Sequence, residues 1–346
     1  MKLKFLRTFD VKIAALLFLQ LILIFLAFDF QIFMGGDVHS DILLAESILS
    51  GNGFKDIWDP QQPQDNWRRP GMPVIIAFLY LLFGHHYLII KLLMVLLTLG
   101  TTVLLYLIFK AEMGSNLWFL LLLFISSATI LEFARYELSE IPYLFVVLLS
   151  IYFWKRQKYW ATILCLIISY HIRTEALALM GAFLIFYLFQ KNWRNLIIFG
   201  ASILVGILPW TLRSIIIGGN QQIKVLLAKN EYYLDAGMIG FTDLIQRVVH
   251  NFKLYFFKYG GGVILNTEGF LSFLIMPLAL VGLTLFIKMS RIGKIIFLFV
   301  IFHLLIMLLW QPSATHFRYL ITISPFLMLG LIYGFFGTVK FIKELF

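Results

Sequence analysis

The chain has one cysteine among its 346 residues, Cys165, so no disulfide can form within it. Charge is scarce too: 13% of residues are Asp, Glu, Lys or Arg, against about 25% in soluble domains. That deficit excludes an ordinary water-soluble domain. No G-x-x-x-x-G-K-[ST] or G-x-G-x-x-G occurs, so nothing marks a nucleotide site, and no H-E-x-x-H marks a helix-borne zinc. His85 and His86 are adjacent; on a helix they would point about 100° apart and make a poor metal pair. A divalent metal is possible but not required. There is no repeat of about 20–50 residues and no low-complexity linker, so residues 1–346 read as a single polytopic membrane domain.

What the chain has instead is apolar surface. Hydrophobic residues make up 61% of it, mostly in runs near the roughly 20 residues that a membrane helix needs. The expected fold class is an all-α membrane protein of about ten transmembrane helices, with amphipathic or juxtamembrane helices on its outer face. Spans are predicted near 12–33, 87–110, 116–131, 141–154, 159–170, 175–190, 195–217, 269–288, 294–311 and 319–339. The first follows a basic start but is too long for a signal-peptide core and lacks an A-x-A-like exit, so it reads as an uncleaved span.

Charge is also unevenly shared between the loops. The loops on the side of the termini hold 15 of the 28 basic residues but only Asp10, Glu112 and Glu344 of the 18 acidic ones. Lys and Arg accumulate in short cytoplasmic loops, which puts both termini in the cytoplasm and the acidic segments on the periplasmic, extracellular or luminal face. This sidedness accounts for the net charge of +10 without a nucleic-acid partner.

Three stretches interrupt the regular spans. Residues 34–72 form a first outer loop, in which Ile42, Leu43, Ala45, Ile48 and Leu49 make the apolar face of a short surface helix ended by Gly51. Residues 73–84 are apolar but too short to cross. Residues 160–190 must hold two short passes with His171, Arg173 and Glu175 between them. A second outer loop, 218–269, is aromatic-rich and is a candidate cap over an acceptor.

Candidate chemistry lies at the outer ends of the spans. Asp37 follows Gly35-Gly36 and is a candidate general base; the alternative is a helix N-cap. Asp41 and Glu46 are expected on the solvated face of the same helix, with Asp41 as a supporting residue. Arg68-Arg69 offer two planar forks suited to phosphate or to lipid headgroups. Glu140 opens the fourth span ahead of Pro142, with Glu137 just upstream. Arg173 beside His171, Arg213 in Pro-Trp-Thr-Leu-Arg, and Arg318 in His316-Phe317-Arg318-Tyr319 bring cations to the same level. Ionisable residues in or near spans are costly and tend to be functional.

In order, these motifs resemble the GT-C membrane glycosyltransferases, the polyprenyl-phosphate-sugar-dependent group that includes protein mannosyltransferases and aminoarabinose transferases. The matching residues are Asp37 before a surface helix, Arg69-Pro70-Gly71-Met72-Pro73 with Phe83-Gly84, Ser139-Glu140, Pro209-Trp210 with Arg213, and Arg318-Tyr319 with Pro325. Arg-Pro-Gly stands where that family has Lys-Pro-Pro, and Arg68 stands where it often has an acid. The resemblance implies an inverting transferase. It would move a sugar from a polyprenyl-phosphate donor to a lipid, glycan or protein acceptor. Asp37 and Glu140 would be catalytic, Arg69, Arg173, Arg213 and Arg318 would hold the donor phosphate, and Glu137, His171, His316 and Tyr319 would support them. The competing reading from another class is a transporter or flippase of an anionic polyprenyl lipid, with its site among the short, interrupted spans.

Overall fold

The computed structural model describes residues 11–33, 35–218, 221–230, 233, 236–267, 269–312 and 317–345. Described residues outside helices pair as strand only at two isolated bridges, Lys55 with Gln64 and Ala228 with Met238. The rest of the regular structure is helical, as expected of leucine- and phenylalanine-rich runs whose backbone groups must be satisfied within the segment.

Every predicted span has a helix. These are α1 (Val11–Ala27), α4 (Tyr87–Met113), α5 (Leu117–Ser126), α7 (Glu140–Lys155), α8 (Tyr159–Ile172), α9 (Ala176–Phe189), α10 (Trp193–Ile216), α14 (Phe270–Met289), α15 (Arg291–Leu309) and α16 (Ser324–Leu345). Four stretches are long and apolar enough to cross a membrane: Tyr87–Ser126, which joins α4 and α5, and helices α10, α14 and α15. Shorter elements are α2 (Gly36–Leu49), α3 (Gly71–Phe83), α6 (Ala128–Phe133), α11 (Gln221–Leu227), α12 (Phe241–Lys253) and α13 (Gly260–Leu265).

Where the helices stop short of expectation, side chains explain it. The first span was expected to reach residue 33 but ends at Ala27. Beyond it the carbonyls of Ala27, Asp29 and Phe30 accept from Arg135, Lys91 and Tyr87 instead of from the next helical turn. The third span breaks at Ser127, whose hydroxyl donates to the Val263 carbonyl and accepts from the Ile130 amide. The last helix starts at Ser324 rather than near 319. Pro325 suits the first turn of that helix, and residues Phe317–Leu320 form a tighter turn that holds Arg318 and Tyr319 outside it.

Two close approaches stand out in the helix packing. A methyl at Gly282 of α14 would collide with the Gly330 carbonyl of α16, and Gly330 and Gly334 sit four residues apart on that seam. This is the small-xxx-small contact that lets membrane helices approach closely. A Cβ on Gly71 would lie 2.6 Å from the His171 carbonyl oxygen and 2.7 Å from the Ile172 nitrogen. The start of α3 is thus seated on the end of α8.

Candidate active site

One end of the bundle gathers the start of α2, the start of α3, the break between α8 and α9, the end of α15 and the turn before α16. Between them lies a cavity of about 1260 Å³. Its polar wall includes Asp37, Asp41, Arg68, Arg69, Arg173 and Arg318; its apolar wall includes Ile223, Val225, Leu226, Ile306, Met307 and Trp310.

Asp37 sits in the first turn of α2, and the N-cap residue is Gly35, with no side-chain cap bond. The capping role weighed for Asp37 is therefore not the one it plays. Its Oδ1 accepts from Arg68 Nη2 at 2.7 Å and its Oδ2 pairs with Arg318 Nη1 at 2.5 Å. Burial pushes this carboxyl up, but the two guanidiniums outweigh it and hold the group well below the usual carboxylate range.

Glu140 opens α7 and is buried behind that pair. Its Oε1 lies 2.6 Å from Arg173 Nη1 and 3.5 Å from Arg318 Nε. Arg173, 9% exposed, also binds Glu175 Oε1 at 2.7 Å and Ser139 Oγ at 3.0 Å. The Tyr319 ring lies under both cations, 5.3 Å from the Arg173 guanidinium and 5.5 Å from that of Arg318. Arg69 stacks over Tyr170 at 4.6 Å. The result is a charged lattice of alternating guanidiniums and carboxylates, with Arg68, Arg69, Arg173 and Arg318 on the cavity wall.

The structure thus brings together Asp37, Glu140, Arg69, Arg173, Arg318 and Tyr319. Others of the predicted set have different surroundings. Arg213 donates to the carbonyls of Asp65 and Phe54 and to Gln64, and stacks on Trp210 at 4.5 Å; it pins the first outer loop and does not line the cavity. Glu137 is fully buried, accepts from the Phe33 amide and faces Lys91 at 3.6 Å, away from the cavity. His171 bonds the Gly206 carbonyl of α10. His316 lies outside the described residues.

Asp41 departs most from expectation. It was expected on the solvated face of α2, yet it is 6% exposed. The buried positions Val38, Asp41, Leu44 and Ala45 follow helical spacing, so the carboxylate sits in the stripe that faces inward. Burial pushes its carboxyl up to about 7; Arg68 draws it down, while Asp37, Glu140 and Asp65 add to the rise.

Arg68, read from the sequence only as a phosphate or headgroup fork, lines the cavity, and so do residues not singled out as site candidates: Glu132, Tyr136, Tyr170 and Glu175. Glu175 could have been found from Arg173-Thr174-Glu175 in an apolar stretch; Glu132 and Tyr170 carry no such signal. Among the described residues no three His, Cys, Asp or Glu side chains converge as a metal site.

No family model and no curated sequence matches the chain. Two solved structures do: ArnT from Cupriavidus metallidurans in the apo state, at 13% identity, and the same protein bound to undecaprenyl phosphate, at 14%. In both comparisons the TM-score is 0.62 and the match covers 93% of this chain and 59% of that one. The chain therefore spans about three fifths of the ArnT length and shares its fold over that part.

Proposed function

We propose that the protein is an inverting glycosyltransferase that moves a sugar from a polyprenyl-phosphate donor to a hydroxyl or amine acceptor on the outer face of the membrane. One observation carries the reading: guanidiniums gathered about a single carboxylate, Asp37, on the wall of a cavity whose other side is apolar. A phosphate suits the first wall and a polyisoprenoid chain the second. The fold shared with an ArnT structure that holds undecaprenyl phosphate agrees with it.

The chemistry follows from the arrangement. The leaving group is a phosphate, already anionic, and planar cations are fitted to bind it and to stabilise the charge it gains. Arg68 and Arg318 rest on Asp37. When the donor phosphate takes them, Asp37 loses the partners that hold its proton affinity down and becomes a base for the acceptor hydroxyl or amine. Attack then forms the bond to the anomeric carbon as the bond to phosphate breaks. Glu140 keeps Arg173 and Arg318 in register from behind. This single displacement needs one base, unlike the paired carboxylates of most glycoside hydrolases. Arg213 belongs to the scaffold of the first outer loop in this scheme. The second outer loop is proposed as the acceptor cap; its Ile223, Val225 and Leu226 line the apolar wall, and its α12 sends Arg247 and Asn251 to the carbonyls at the end of α15.

The test is transfer of labelled sugar from a panel of polyprenyl-phosphate donors, wild type beside Asp37→Asn, in detergent. Transfer by wild type that is absent from the variant supports the assignment. No transfer in detergent, together with movement of the intact lipid across the bilayer of proteoliposomes, would replace it with the flippase reading.

A further inference from the structure

The transferase scheme leaves a proton to be placed. Acceptor, donor sugar and Asp37 account for the bonds made and broken, but the base must be anionic again before Arg68 and Arg318 can close back onto it. The carboxylates lining the cavity are Asp37, Asp41, Glu132 and Glu175. Asp37 is held by two arginines, Glu175 by Arg173, and Glu132 accepts the Tyr136 hydroxyl. Asp41 makes no hydrogen bond or ion pair among the described residues, although it is 6% exposed and lines the cavity. It sits four residues after Asp37, on the same side of α2 one turn along. A buried carboxylate without a partner is expensive, and nothing in the packing of α2 requires an acid there, since its neighbours in the stripe are Val38, Leu44 and Ala45.

We propose that Asp41 receives the acceptor's proton from Asp37 and releases it to water as product leaves. This rests on the transferase reading above. The acceptor O–H or N–H bond breaks and its proton goes to Asp37; the acceptor atom bonds to the anomeric carbon, and the phosphate leaves with the electron pair of its own bond. The proton then passes from the Asp37 carboxyl to the Asp41 carboxylate, directly or through one cavity water. The direction follows from charge. Once the phosphate leaves and Arg68 and Arg318 return, a proton left on Asp37 would cancel an anion that two guanidiniums stabilise, whereas a proton on Asp41 cancels a buried anion that has no such pair. The second state is lower in energy, and it restores the arginine-bound resting form of Asp37.

The groups that act on Asp41 are Arg68 from the first outer loop, which favours its charged form, and Asp37, Glu140 and Asp65, which disfavour it. Helix α3, packed against α2, carries no charged residue and only Tyr80 as a titratable one. Burial brings the group to about 7, so the acid limb of turnover should fall near neutrality.

The experiment is the pH profile of kcat in the transfer assay for wild type, Asp41→Asn and Asp41→Glu, with difference infrared spectroscopy of the resting protein in the carboxylic-acid carbonyl region. Wild-type kcat should rise as pH increases through about 7. Asp41→Asn, nearly isosteric with the protonated acid, should lose about tenfold to a hundredfold in kcat. It should lose the acid limb with it, while still retaining undecaprenyl phosphate on purification. Asp41→Glu should keep a limb at a shifted pH. The protonated carboxyl band seen below pH 7 should vanish in Asp41→Asn. An Asp41→Asn enzyme that keeps the acid limb overturns the relay and leaves the transferase reading standing. A wild type that transfers from no donor overturns both. Should Asp41→Asn fail to fold, an Asp41→Glu profile identical to wild type overturns the relay.

Discussion

By motif, Arg318 and Arg213 were equal candidates for a phosphate, and the fold gives them opposite surroundings. Arg318 spends its guanidinium on the carboxylates of Asp37 and Glu140 and faces the cavity. Arg213 spends its own on the backbone carbonyls of Phe54 and Asp65 and on an amide oxygen, away from the cavity. Arg247 sides with Arg213: it is held by the carbonyls of Leu226, Ala228 and Leu309. Arg68 and Arg173 side with Arg318. A cation held by a carboxylate beside a cavity can exchange that anion for another, because the incoming phosphate supplies what the carboxylate gave. A cation that satisfies buried carbonyls cannot leave without orphaning them. The kind of acceptor, more than the level in the membrane or the neighbouring motif, separates arginines that pair with carboxylates on the cavity wall from arginines that hold the backbone.

The contrast can be broken at either end. The largest effect is expected at the shared carboxylate: if the transferase proposal holds, Asp37→Asn should lower kcat by about a thousandfold while binding of an added polyprenyl phosphate persists, as native mass spectrometry would show. A fully active variant would end the role given to Asp37. Next, Arg318→Ala should cost about a hundredfold in kcat/KM. Arg213→Ala should leave donor KM unchanged and instead lower stability by about 1–3 kcal/mol, read as a lower thermal midpoint in detergent. If Arg213→Ala raised donor KM and Arg318→Ala did not, the division by acceptor type would be wrong.

Smaller effects come from pH. Asp37 has a folded proton affinity below its unfolded one. Its ion pairs therefore stabilise the fold fully above about pH 4, and that contribution fades as pH falls further. Asp41 runs the other way. Its folded affinity is raised, so protonation favours the folded state and its contribution fades as pH rises from about 4 to 7. Thermal midpoints across that window should slope downward for wild type and flatten in Asp41→Asn. An unchanged slope would mean that another group carries it.

The helices were legible because apolar length and the Gly and Pro boundaries are local properties. Residues Ala176–Phe189 and Tyr159–Ile172 appear as the two short passes that the charged break at 173–175 demands. The lattice of ion pairs was legible only as an inventory. Asp37 pairs with partners 31 positions away at Arg68 and far beyond at Arg318, and no local rule assigns such pairs. Arg213 misled because a motif reports a residue's place in the chain but not the direction of its side chain. Asp41 misled for a subtler reason. It keeps the inward spacing with Val38 and Ala45, but a carboxylate in that stripe runs against the ordinary preference of Asp for water, so the pattern was read as surface.

The seat of Gly71 on the end of α8 works as a gauge. With a Cβ there forced against the backbone of His171 and Ile172, the residues just before it, Arg68 and Arg69, and the residue just after that backbone, Arg173, are set apart by one contact of fixed thickness. Position 71 should accordingly be among the least substitutable in a saturation scan, although its side chain is a hydrogen atom. Even alanine would reset the distance between the two arms of arginine on the cavity wall.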